Sequence, residues 1–375
     1  MTILNHLRRF LKQLWWRRAR PATFPALRGP DGRAAMPERF DESHQLCYLN
    51  HDVMVELLRS GELVGAFEYR FPLNEAEAES LRAAADVFEW IDQESRYEER
   101  APILRATVFP ALLSDLLHFI YEALQSARKG KLIVAFALLR KPLQENLYLM
   151  ETIAIDLTGF SDKLAADPMK LRLKNVGGLS GHRNRIAAVL EIIGETDRFD
   201  AGYLAQLRYE KCEDGFDGIC NLAMHLFTEH DAIRTDKLNI NFIFSDLNAK
   251  GTQWAYLYSR MPYMLLYARR LVEHVFSAIW DRTDPVYLSD MERRLDAGTI
   301  LWWKSVDKSY QSSPLRRFVV ATRLRLRSRC RAAGFISPRL CHLERMMENG
   351  AFPDEANATV MRRHASYARN APPRG

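Results

Sequence analysis

Apolar residues recur at three- and four-residue spacing along most of this chain, and clearly only once at the alternating spacing of a half-buried strand. Helical patterns run over residues 41–61, 74–100, 103–128, 131–157, 161–174, 181–193, 216–230, 253–280, 284–298 and 314–333. In the first of these Leu46, Leu49, Val53, Leu57 and Leu58 share a face, and Gly61 closes it. The second opens at Asn74, a good N-cap, with acids in the first turn that suit the helix dipole. Leu63–Phe71 is a β-prone stretch, and Leu238-Asn239-Ile240-Asn241-Phe242-Ile243-Phe244 reads as one short extended segment. Strand–helix–strand alternation is absent, as is any fixed repeat. The expectation is an all-α, multi-helix bundle with a short extended segment near 238–244 and basic appendages at both ends.

Charge divides the chain. Residues 1–39 carry a net +7, residues 304–345 a net +9 and the last thirty +1, within a total of +6. Residues 40–303 therefore hold an excess of acid, and an acidic body sits between basic segments. Three regions are expected: a basic N-terminal helix and linker over 1–40, a main helical domain over 41–300, and a basic C-terminal helical region with a loose tail over 301–375. The basic segments suit either the body's own acidic surface or an outside polyanion, nucleic acid or anionic lipid. Most of these cations are Arg, whose planar fork suits phosphate.

Ile3, Leu4, Leu7, Phe10, Leu11, Leu14 and Trp15 form an apolar stripe flanked by Arg8, Arg9, Lys12, Arg17 and Arg18. Such a helix can lie on a membrane surface, so contact through residues 3–18 is one expectation. It also suits an arm packed on a partner or on the body. Pro and Gly cluster over 20–40 as in a linker. No apolar run reaches the roughly 18 residues of a membrane span. The five cysteines include no C-x-x-C pair, which favours a cytoplasmic location, peripheral at the inner membrane surface if the N-terminal helix binds lipid.

Neither a phosphate-cradling glycine loop nor a G-x-S-x-G elbow is present. His225 and His230 are five residues apart, about 140° around a helix, so one zinc could not take both. No metal or other cofactor is expected. Glu229, His230, Asp231 and Arg234 still gather ionisable groups before the extended segment. Pro142 should bend the apolar helix 131–157. A polar belt crosses its middle: Arg140, Lys141, Gln144, Glu145 and Asn146, with Lys141–Glu145 and Arg140–Gln144 as i, i+4 pairs. A belt inside an enclosed helix serves a polar network or a site.

In the C-terminal region, Arg316, Arg317, Arg323, Arg325, Arg327, Arg329 and Arg331 fall within one segment, alternating from Arg323 onward. As a strand they would line one face; as a helix they would wrap around more than half of it. Either way they suit phosphates, and Trp302, Trp303 and Tyr310 upstream suit base stacking.

The segment Ala135–Glu145 and the stretch His225–Phe244 resemble parts of uncharacterised bacterial all-α families related to HEPN-type helical proteins. The resemblance covers about residues 110–280. HEPN nucleases carry an Arg followed on the same helix by a His, and Arg269-Arg270-Leu271-Val272-Glu273-His274 is similar to that signature. The resemblance implies a metal-independent endoribonuclease of a bacterial stress or phage-defence system. Arg269 would support the phosphate and His274 would move a proton, with a homodimer bringing two pairs together. His225 and His230 are the other candidate bases. Without the resemblance the residues leave open whether the chain is an enzyme. Two functions remain: a nucleic-acid-associated helical protein, RNA before DNA, possessing HEPN-like ribonuclease activity; or a non-catalytic helical scaffold or effector whose basic ends bind a membrane surface or an acidic protein partner.

Overall fold

A computed structural model of the chain describes residues 35–370 apart from 213, 243–244 and 281–282. The expected amphipathic helix over 3–18, most of the linker and the tail from Ala371 lie outside the described residues.

The described chain is all-α, with no strand among the described residues. Its helices are α1 Asp41–Leu63, α2 Glu75–Ala83, α3 Val87–Gln93, α4 Tyr97–Arg128, α5 Leu132–Lys141, α6 Leu147–Ile155, α7 Leu157–Ala166, α8 Gly178–Ile192, α9 Ala201–Tyr209, α10 Phe216–Met224, α11 Leu247–Ser277, α12 Pro285–Ser305, α13 Ser313–Ala332, α14 Leu340–Asn349 and α15 Asn357–Asn370. The axis of the bundle is α11, buried on nearly all sides from Gln253 to Phe276, its buried Arg260 and Arg269 each paired with carboxylates. Asp246 starts it by accepting from the Ala249 amide at 2.8 Å. Against it packs α1, which also touches α4 and α12; α5 lies along α4, and α13 and α14 close over α12. Helix α4 is by length and composition apolar enough to cross a membrane, but its Phe109, Leu113, Leu116 and Ile120 are fully buried in the core.

Several expected boundaries move for local reasons. The run 74–100 becomes α2, α3 and the start of α4. Asn74 and Glu77 form a capping box at the first, Asp86 caps the second, and Ser95 turns the chain with φ 56°. The pattern over 161–174 breaks at Asp167, which Pro168 keeps extended. Of the β-prone stretch Leu63–Phe71, Leu63 ends α1 and residues 64–71 are turn and coil. The expected extended segment near 238–244 is likewise turn over its described residues: Leu238 and Phe242 have φ of 59° and 61°. Here the asparagines serve loop bonds. Asn241 donates from Nδ2 to the His225 carbonyl at 2.8 Å and accepts from Thr235 Oγ1 at 2.9 Å.

At Pro142, where a bend was expected, the structure shows an irregular turn. The helix 132–155 continues through it as one π turn, Pro142–Asn146, between α5 and α6. A wider turn accommodates the missing amide donor.

The C-terminal region is not an appendage. Helix α12 runs across residue 300, and Leu315, Phe318, Val319, Leu326, Cys330, Leu343 and Met346 belong to the same core as α11. The basic segment 314–331 is helix α13, held to the body by its apolar face and by ion pairs.

Candidate functional site

The polar belt resolves into two unequal halves. Gln144 points inward, where its Nε2 donates to the Arg208 carbonyl and to Asp217 Oδ1, both at 2.7 Å. Asn146 donates to Asp115 Oδ2 at 2.8 Å, and Lys141 pairs with the same Asp115 carboxylate. Glu145 is exposed. The expected Lys141–Glu145 and Arg140–Gln144 pairs are therefore replaced, because the π turn advances the register by one residue and longer-range partners take both Lys141 and Gln144. Arg140 is half-buried, and its Nε has no hydrogen-bond partner among the described residues.

One turn beyond lies a cluster that sequence reasoning missed. Glu151 is fully buried in α6, joined by Arg208 Nη1, by Arg185 Nε at 2.9 Å and by the Tyr267 hydroxyl, which donates at 2.6 Å. Burial alone would raise its carboxyl, but the Arg208 and Arg185 charges outweigh that and hold it below its ordinary value. His182 stacks on Tyr209 with ring centroids 3.7 Å apart. Burial, with Arg185 and Arg208 nearby, pushes its pKa down to about 4. One acid inside the otherwise apolar run Leu147–Ile155 was the available signal: a lone buried carboxylate requires cationic partners.

Arg269 and His274 are not brought together. Arg269 is 1% exposed, its Nη1 on Glu273 and its Nη2 on Glu292 at 3.0 Å. His274 is half-buried in the last turn of α11, and its pKa is lowered by burial and then by Arg270. Neither nitrogen of that ring bonds another group among the described residues. The five-residue spacing turns the two side chains to different faces. His225 and His230 are both exposed in the loop after α10. Thr228, Thr235 and Asn241 shape that loop through mutual hydrogen bonds.

The seven arginines of α13 separate into two sets. Arg325 and Arg329 flank the buried face. Arg325 meets Glu195 at 3.0 Å and also pairs with Glu292; Arg329 meets Asp296 at 3.0 Å and Glu292 at 2.9 Å. Arg198 and Arg270 complete this network around Glu195 and Asp296. Burial opposes ionisation of Glu292, yet the surrounding arginines hold it well below its ordinary value. Asp296 shifts the other way, raised chiefly by burial. Glu292 thus joins Arg269 to Arg325 and Arg329: residues expected to catalyse and residues expected to bind phosphate meet in one structural network.

The other arginines face outward. Arg317 pairs with Asp200 at 2.6 Å. Arg331 bonds Ser337. Arg316, Arg323 and Arg327 are exposed and form no ion pair among the described residues. At about 100° per residue, Arg316, Arg323, Arg327 and Arg331 lie within roughly 80° of arc. Between them Val320 and Leu324 are 54% and 59% exposed. Trp302 and Tyr310 are buried, Trp302 donating from Nε1 to the Tyr258 carbonyl at 2.6 Å. Trp303 packs against the core. Of the three aromatics expected to stack on bases, two are core residues and Trp303 is partly buried against the core.

No family model, curated protein or solved structure matches this chain.

Proposed function

We propose that this chain is a nucleic-acid-associated helical protein that holds phosphates along the outward face of α13. The observation that supports it is the row Arg316, Arg323, Arg327 and Arg331 on one face of a helix that contains no acidic residue. An exposed, uncompensated row of guanidinium groups attracts a polyanion and releases its counterions. RNA is favoured over DNA through the HEPN resemblance. The same resemblance carries the ribonuclease reading, a homodimer and a role in bacterial stress or phage defence, while the cytoplasmic location rests on the cysteine pattern. For cleavage, His225 and His230 are the exposed bases of the candidate set, whereas Arg269 is committed to Glu273 and Glu292.

The test is retention of RNA and DNA at low salt by wild type and by a variant with Arg316, Arg323, Arg327 and Arg331 replaced by Gln. Binding by wild type and its loss in the variant are expected. Absence of binding by wild type, or full binding by the variant, overturns the reading. An RNA-cleavage assay on His225→Ala, His230→Ala and His274→Ala checks the enzymatic part.

The second reading, a non-catalytic scaffold or effector docking on a membrane surface or an acidic protein partner, is favoured by Val320 and Leu324, which place apolar surface between the arginines. Co-sedimentation with anionic vesicles, performed beside the nucleic-acid assay, separates the two.

A further inference from the structure

We infer that the α13 face takes a double-stranded nucleic acid by its phosphate backbone, in preference to a single strand and without reading bases. The inference rests on the nucleic-acid reading and names the form of its ligand.

The first argument is rigidity. Arg316 and Arg331 are fifteen residues apart on one uninterrupted helix, about 22 Å at ~1.5 Å per residue. The helix cannot bend to follow a ligand, because Leu315, Phe318, Val319, Leu326 and Cys330 fix its other side in the core. Arg325 and Arg329 pin it further to Glu195, Glu292 and Asp296. A straight, fixed row of cations is matched by a straight, stiff polyanion. A duplex is already stiff, whereas a single strand must be ordered to lie along the row.

The second argument is charge density. A duplex presents one phosphate per ~1.7 Å of its axis, twice the density of either strand alone. Side chains spread over about 80° of arc can reach both backbones across a groove. Val320 and Leu324, exposed between the arginines, then meet sugar carbons instead of charge.

The third argument is what the face does not offer. Proteins that hold single strands compensate for ordering them by stacking bases on aromatic side chains. Every residue on the stripe from Arg316 to Arg331 is Arg, Val or Leu, and the nearby Trp302 and Tyr310 are buried. Asn, Gln, Asp and Glu, which read base edges together with Arg, are missing from α13 entirely. Contacts made by arginine alone, spaced along a backbone, position a duplex without specifying its sequence.

The experiment measures binding of the full chain to a mixed-sequence RNA duplex of about 20 base pairs, a DNA duplex of the same sequence, and each separated strand, over a salt series. Duplexes are expected to bind at least tenfold tighter than either strand, with little dependence on sequence. The slope of log K against log salt should be about −3.6 for four phosphate contacts. Arg323→Gln with Arg327→Gln should reduce it by about 1.8. Those two side chains are exposed, so the helical circular-dichroism signal and the melting temperature should be unchanged. Equal or tighter binding of single strands overturns the inference and leaves the broader reading standing. Retention of neither form overturns both. Duplex binding whose salt slope is unaffected by the double substitution places the contact elsewhere and overturns the inference as well.

Discussion

Arg269 and Glu292 meet at 3.0 Å across the packing of α11 on α12, with Arg269 only 1% exposed. The arginine that best fits a nuclease signature is thus the buried partner of a carboxylate that also receives Arg325 and Arg329 from α13. Removing one member of a buried ionic group leaves the others desolvated and unpaired. Arg269→Ala should destabilise the chain by about 3–5 kcal/mol, read as a lower urea midpoint at similar slope. Arg269→Ala with unchanged stability would mean that the pair does not form in solution.

The Glu151 cluster calls for a double substitution. Glu151→Leu leaves Arg208, also fully buried, without its carboxylate, and should cost about 3–5 kcal/mol. Adding Arg208→Met removes the stranded cation and should restore much of that loss, since a buried pair is often replaceable by apolar side chains of similar volume. The check is a double-mutant cycle of unfolding free energies, with a coupling of at least about 2 kcal/mol expected. Additive losses would show that the two side chains act independently.

Acid should weaken the fold in a defined window. His44 donates or accepts at Tyr258 Oη over 2.7 Å, and His182 stacks on Tyr209. Burial pushes both pKa values from an ordinary 6.5 to about 4. Each folded value lies below the unfolded one, so unfolding takes up protons between those limits. The stability is fully present above about pH 6.5 and is lost as the pH falls towards 4. Below the ordinary carboxylate range the depressed Glu151 and Glu292 extend the loss, while Asp296, which is raised, takes up its proton above that range and offsets part of the loss there. Melting temperatures across this range should fall for wild type and fall less for His44→Gln with His182→Gln. A flat profile between pH 6.5 and 4.5 would contradict both burials.

Which parts of this were legible in the sequence follows from period and partner. Most helices declared themselves because they bury one side, and Pro142 announced an irregular turn because it lacks a donor. The segment 238–244 misled because alternation describes side chains only. Without a neighbouring strand to pair with, Asn241 bonded its own loop. Glu151 was visible as a lone acid in an apolar run, but its partners Arg185, Arg208 and Tyr267 come from three other helices, and only the fold assembles them. The alternating arginines from 323 to 331 by themselves left a strand face and a helix both open. The apolar set Leu315, Phe318, Val319, Leu326 and Cys330 already held the answer: it has helical spacing, which turns Arg325 and Arg329 inward and Arg323, Arg327 and Arg331 outward.

That sorting makes a prediction with opposite outcomes for neighbouring residues of the same type. Arg325 and Arg329 share Glu292 and Asp296 and are partly shielded, so replacing both with Gln removes two cations from buried carboxylates. The chain should lose about 2 kcal/mol or more, less than a fully buried pair because solvent reaches both guanidinium groups. Arg323 and Arg327 touch no carboxylate among the described residues, and replacing both with Gln should change stability by no more than about 0.5 kcal/mol. Nucleic-acid affinity should move the other way. It should fall steeply in the Arg323/Arg327 variant, while the Arg325/Arg329 variant, held below its melting temperature, should keep most of it. Four measurements, unfolding and binding for each pair, decide the matter. Equal effects of the two pairs on binding would mean that phosphate is recognised by the whole segment as a diffuse charge and not by one face of α13.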